Sequence, residues 1–162
     1  VGKRAFAPVV DGRTRLLILG SLPGDASLAA QQYYAHPRNA FWSLIGRVIA
    51  CDLVTRPYAK RLEALREAGI GLWDVILSGE RRGSLDASIR RAETADLAAL
   101  IATLPDLRAV AFNGGFAART GRRTLARISD LSLIDLPSSS PAHARPFAEK
   151  AVVWDQLAIF LR

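Results

Sequence analysis

Cysteine is almost absent from this chain: Cys51 stands alone among 162 residues. One thiol closes no intrachain disulfide and supplies neither a four-thiolate zinc site nor an iron–sulfur cluster, so the expectation is a protein with no metal and no cofactor. Long apolar runs are lacking as well. None approaches the ~20 residues of a membrane span, and no charged, apolar and small-residue series marks a secretory signal. A soluble, cytoplasmic protein with no membrane partner is therefore expected. Repeats and low-complexity segments are missing, and lysine is scarce, with three against nineteen arginines.

What is present points to one folded unit with a polyanionic partner. Half of the residues are hydrophobic, enough for a core, and the length fits a single domain over 1–162. The formal net charge is +7. Each phosphate neutralised by Lys or Arg releases counterions from a nucleic acid, so such a charge favours that class of partner.

Apolar runs bounded by turn residues predict four buried strands over 16–19, 71–76, 109–112 and 132–136. Between them lie helical patterns over 41–50, over 58–68 with a stop at Gly69, and over 94–104 with Thr94 as cap and Pro105 as stop. Gly114-Gly115 opens a basic helix running to about Arg127, and Pro146 starts a last helix through Phe160. Alternating strands and helices predict a parallel sheet covered on both faces, with ligands outside the carboxyl ends of its strands.

The chemistry-bearing segments fall at those strand ends. Gly20-Ser21-Leu22-Pro23-Gly24 follows the first strand; it is either a stiffened turn or a loop whose unobstructed backbone NH groups hold a base carbonyl or a water. Tyr33-Tyr34-Ala35-His36-Pro37-Arg38-Asn39-Ala40-Phe41-Trp42 comes next. Asn39 can cap the helix that begins near Phe41, act on a ligand at that helix start, or do both. Phe41 and Trp42 read as core, and His36 as a loop histidine or phosphate contact. A Ser21, His36 and Asp triad finds no support in the spacing. Asp74 ends the second strand, where a carboxylate accepts hydrogen bonds when ionised and suits a base presenting NH donors; capping a turn is the alternative. Asn113 follows the third and is a second candidate to line the site. Pro137-Ser138-Ser139-Ser140-Pro141-Ala142-His143 follows the fourth and offers hydroxyls and backbone NH groups suited to phosphates. Arg119, Arg122, Arg123 and Arg127 lie on the basic helix, facing phosphate or solvent.

Taken together, the 16–42 segment and Leu136-Pro137-Ser138-Ser139-Ser140-Pro141-Ala142 resemble the uracil-DNA glycosylase superfamily, and within it the hypoxanthine-DNA (deoxyinosine) glycosylase branch. The likeness extends roughly from Val9 to Leu161. It implies a three-layer α/β/α sandwich with a four-stranded parallel sheet in the order 2-1-3-4. It also implies a monofunctional hydrolase of N-glycosyl bonds in base-excision repair: a deaminated base, hypoxanthine by branch, is flipped from DNA and released. Uracil or mismatched thymine is the alternative substrate, and a non-catalytic DNA-binding module or a nucleoside hydrolase the alternative function. By resemblance Asn39 is the catalytic amide, and Tyr34, or its neighbour Tyr33, stacks on the base. Gly20, Ser21, Leu22, Pro23, Gly24, Asp74 and Asn113 line the base site. Ser138, Ser139, Ser140, Pro141, Ala142, His143 and Arg122 meet the DNA. Two departures stand out: Leu22 occupies a position that is Asp or Asn in most relatives, and Leu136 stands where uracil-specific enzymes carry a catalytic histidine. No lysine sits in any of these motifs, which argues against a Schiff-base lyase step. A monomer acting on nucleoid DNA is expected.

Overall fold

All five residues of Leu16–Gly20 and all five of Ala109–Asn113 are buried, because these strands lie in the middle of a four-stranded parallel sheet covered on both faces. The structure, a computed structural model, describes residues 2–82, 85–128 and 130–162. In chain order its elements are β1 (Gly2–Arg4), β2 (Leu16–Gly20), α1 (Asp25–Ala30), α2 (Phe41–Val48), α3 (Tyr58–Ala68), β3 (Ile70–Asp74), β4 (Ile76–Glu80), β5 (Arg90–Thr94), α4 (Leu97–Ala102), β6 (Ala109–Asn113), α5 (Gly115–Thr124), β7 (Ser132–Leu136) and α6 (Phe147–Asp155). Short 3-10 helices cover Asp86–Ser88 and Gln156–Leu161.

The parallel sheet runs β3-β2-β6-β7, the predicted 2-1-3-4 order. Its residues alternate between two cores. Leu16 and Ile18 pack with Phe41, Leu44, Ile45 and Trp154 from α2 and α6; Leu17 and Leu19 pack with Val110, Phe112, Leu97 and Ala117 on the α4 and α5 side. The register places Gly20 beside Asp74, and Asn113 beside Leu136. All four strands therefore deliver their last residues to one edge of the sheet.

Several elements differ from expectation. The run 71–76 is not one strand: β3 stops at Asp74, and β4 joins β1 and β5 in a separate antiparallel sheet, β1-β4-β5. The polar sequences GKR and RRAET that flank β4 carry no apolar alternation, so these strands leave no periodic signal. Thr94 belongs to β5; the cap of α4 is Asp96, whose carboxylate accepts from the Ala99 NH at 3.0 Å. The basic helix ends at Thr124 rather than Arg127, and the last helix tightens into a 3-10 turn after Asp155. The six-residue α1 gave too short a pattern to be predicted.

Candidate active site

A cleft of about 690 Å³ opens at the carboxyl edge of the parallel sheet. Its lining includes the loop 20–24, Tyr34, His36, Asn39, Asp74, Asn113 and the loop 138–143. The β2–α1 loop forms one wall. A Cβ on Gly20 would lie 2.7 Å from Asp74 Oδ1 and 2.9 Å from the Tyr34 hydroxyl oxygen. Close approach, not an unusual φ, requires glycine there. Leu22 is buried, and the loop is held from behind by Arg81. The Arg81 guanidinium, with its side chain 2% exposed, donates to the Leu22 and Pro23 carbonyls at 2.9 and 2.8 Å and pairs with Asp86 at 2.9 Å. The Ser21 hydroxyl donates to the same Asp86 carboxylate at 2.6 Å, which leaves a Ser21–His36 dyad without a hydrogen bond. Arg81 was not singled out in the sequence, because it lies in the polar segment Gly79-Glu80-Arg81-Arg82, where nothing marks a buried cation.

Asn39 combines its two expected positions. Its Oδ1 accepts from the Phe41 NH at 3.0 Å, at the start of α2, while the residue lines the cleft. The adjacent Ala40 NH donates to the Ser139 carbonyl at 2.9 Å and ties this segment to the serine loop. Tyr34 adopts φ of 54° and stacks on Phe41 with ring centroids 3.9 Å apart. Tyr33 is buried, donates to the Ala7 carbonyl at 3.0 Å and meets Phe6 edge to face. Tyr34 is thus the more open of the two. His36 Nδ1 accepts from the Arg38 NH at 3.1 Å, a local loop contact.

The serine loop is built around Asn113. Its Oδ1 accepts from the Ser139 NH and its Nδ2 donates to the Ser139 hydroxyl, both at 2.9 Å. Ser139 is 1% exposed, so it positions the loop and is not open to a phosphate. Gly114, at φ of 100°, lies against Ser138: a Cβ there would sit 3.2 Å from that of the serine. Lys150 Nζ donates to the Ser140 carbonyl at 3.2 Å, and Trp154 Nε1 to the Pro137 carbonyl at 3.0 Å. Ser138, Ser140, Pro141, Ala142 and His143 border the cleft. Partial burial, then Lys150 and Arg145, hold the His143 pKa below its ordinary value. Arg122 is not brought to this cleft. It pairs with Asp135 at 3.0 Å and lies 5.6 Å over the Phe112 ring, while Arg119 lines the cleft from the same helix.

Asp74 lies at the cleft floor, 4% exposed. Its Oδ2 and the Tyr34 hydroxyl have no hydrogen-bond partner among the described residues. Burial raises the Asp74 pKa to about 7; Arg81 opposes the shift and Asp86 adds to it. The sequence suggested an ionised acceptor, whereas burial without a partner favours the neutral acid. Burial, with Asp74 next in order, also raises the Tyr34 pKa.

The family model of the Uracil DNA glycosylase superfamily matches residues 7–158. A Methanosarcina acetivorans protein named hypoxanthine DNA glycosylase is 41% identical over 153 residues, 94% of this chain and 96% of that protein. A Methanosarcina barkeri protein of the same name is 48% identical over 112 residues, 69% of this chain and 71% of its own length. A solution NMR structure of a Methanosarcina acetivorans protein described as a candidate uracil DNA glycosylase superposes with a TM-score of 0.88 at 40% identity, covering 99% of both chains. With this fold, strand order and match, the chain belongs to the uracil-DNA glycosylase superfamily.

Proposed function

We propose that this chain is a monofunctional DNA glycosylase that releases hypoxanthine from DNA by hydrolysis of the N-glycosidic bond. The observation that carries this reading is the convergence of Asn39, Asp74 and the Asn113-braced serine loop on one cleft at the sheet edge, in a chain 41% identical over 153 residues to a relative named for that activity. A flipped base enters the cleft against Tyr34, where stacking contributes about 1–3 kcal/mol. The sugar passes through an oxocarbenium-like state, so the protein has to position water and stabilise the departing base. The Asn39 amide, fixed at the start of α2, orients that water without being a strong base. The edge of the base meets Asp74. No lysine is among the described residues that line the cleft, in keeping with hydrolysis rather than a Schiff-base lyase.

Otherwise identical duplexes carrying hypoxanthine, uracil, xanthine or mismatched thymine test this directly. Alkali-labile sites and free base should form fastest from the hypoxanthine duplex. DNA binding without an abasic product would refute the enzyme reading, and faster release of uracil would refute the substrate.

A further inference from the structure

Asp74 brings a buried carboxyl to the cleft: it stands at the end of β3, 4% exposed, with one oxygen lacking any partner among the described residues. The charged and titratable groups around it are Arg81, Asp86, Tyr34 and Tyr33. The Arg81 guanidinium is engaged by Asp86 and two loop carbonyls. Tyr33 donates to the Ala7 carbonyl, and the Tyr34 hydroxyl has no hydrogen-bond partner within bonding geometry among the described residues. A buried carboxylate in this position would lie against a departing base just as that base gains negative charge. Like charges at close range oppose the reaction.

We propose that Asp74 works as a neutral carboxylic acid and pairs with the lactam edge of the flipped hypoxanthine, its OH donating to O6 and its carbonyl oxygen accepting from N1–H. This deepens the proposed hypoxanthine-glycosylase function and rests on it. As the C1′–N9 bond breaks, its electron pair passes into the purine and charge builds on O6. The Asp74 OH keeps its proton, and its hydrogen bond strengthens as that charge grows. The oxygen of water bonds to C1′, and the proton that water loses neutralises the released base. A donor to the leaving base is thereby supplied from β3, in a chain where buried Leu136, not a histidine, ends β7. The raised Asp74 pKa, about 7, keeps the acid populated near neutrality.

The test is the pH profile of kcat/KM on a hypoxanthine duplex for the wild-type chain and for Asp74→Asn, whose amide offers a donor and an acceptor without a titrating proton. In the wild type kcat/KM should be level below about pH 7 and fall about tenfold per pH unit above it, since this parameter reports the free enzyme. Asp74→Asn should stay within about tenfold of the wild-type plateau and lose that descending limb. Infrared spectra of the free wild-type protein below pH 7 should show a carboxylic C=O band that Asp74→Asn lacks. A wild-type profile that is flat or rises through pH 7, a descending limb retained in Asp74→Asn, or a missing infrared band would each overturn the pairing alone. No hypoxanthine release by the wild type at any pH would overturn the proposed function and the pairing together.

Discussion

Replacing Arg81 with methionine should loosen a wall of the cleft that the residue itself helps to line. The substitution keeps most of the side-chain stem and removes a guanidinium whose side chain is 2% exposed. Lost with it are the donors to the Leu22 and Pro23 carbonyls and the pair with Asp86. A hydrogen bond from a charged group contributes about 1.5–3 kcal/mol, and breaking a buried ion pair from one side costs about 3–5 kcal/mol. Asp86 is 34% exposed and keeps the Ser21 hydroxyl, so water offsets part of the loss. The expected cost is therefore at the lower end, about 3 kcal/mol. For a chain of this size 1 kcal/mol moves Tm by about 2–4 °C, so Arg81→Met should unfold about 6–12 °C earlier. Below that temperature, loss of the clamp should lower single-turnover base release by about 100-fold, the order expected for a misplacement near 1 Å. Arg81→Lys keeps the charge but not the planar fork, and should recover Tm in part and activity little. Circular-dichroism melts and single-turnover kinetics measure both quantities. Wild-type melting and release in Arg81→Met would refute the clamp, and a lower Tm with unchanged release would refute its link to the site.

Four further substitutions probe the site. Asn39→Ala should reduce hypoxanthine release by on the order of 100- to 1000-fold with DNA affinity nearly unchanged; single-turnover rates and binding isotherms decide it, and a loss of only a few-fold would move the water-positioning role elsewhere. Gly20→Ala should cost about 1–3 kcal/mol by overpacking and also slow base release, because the new methyl meets both Asp74 and Tyr34; a denaturant melt with kinetics on the same sample checks both. Arg119→Ala should flatten the log–log salt dependence of DNA binding by about 0.9, whereas Arg122→Ala, whose charge is paired with Asp135, should change that slope little. Equal slope changes for the two would show that the exposed face of α5 as a whole meets the DNA.

The sequence by itself determined the parallel sheet and the order of its site segments. Runs such as Leu16-Leu17-Ile18-Leu19 must be buried on both faces, and a buried parallel strand has to end in a loop at its carboxyl edge. Asn39, Asp74, Asn113 and the serine loop were legible for that reason, since each ends a strand, follows directly on one, or opens a helix. The divisions of labour among them were not legible. That Asn113 spends both amide groups on Ser139, that Arg122 turns to Asp135, and that Arg81 holds the first loop all depend on contacts between residues distant in the chain. Hydrogen-bond partners so far apart leave no periodicity, and neither do the polar strands β1 and β5. The state of Asp74 is likewise decided by tertiary structure: a carboxylate's charge depends on its access to water, and the fold closes the end of β3 against Gly20, Tyr34 and the Arg81 wall.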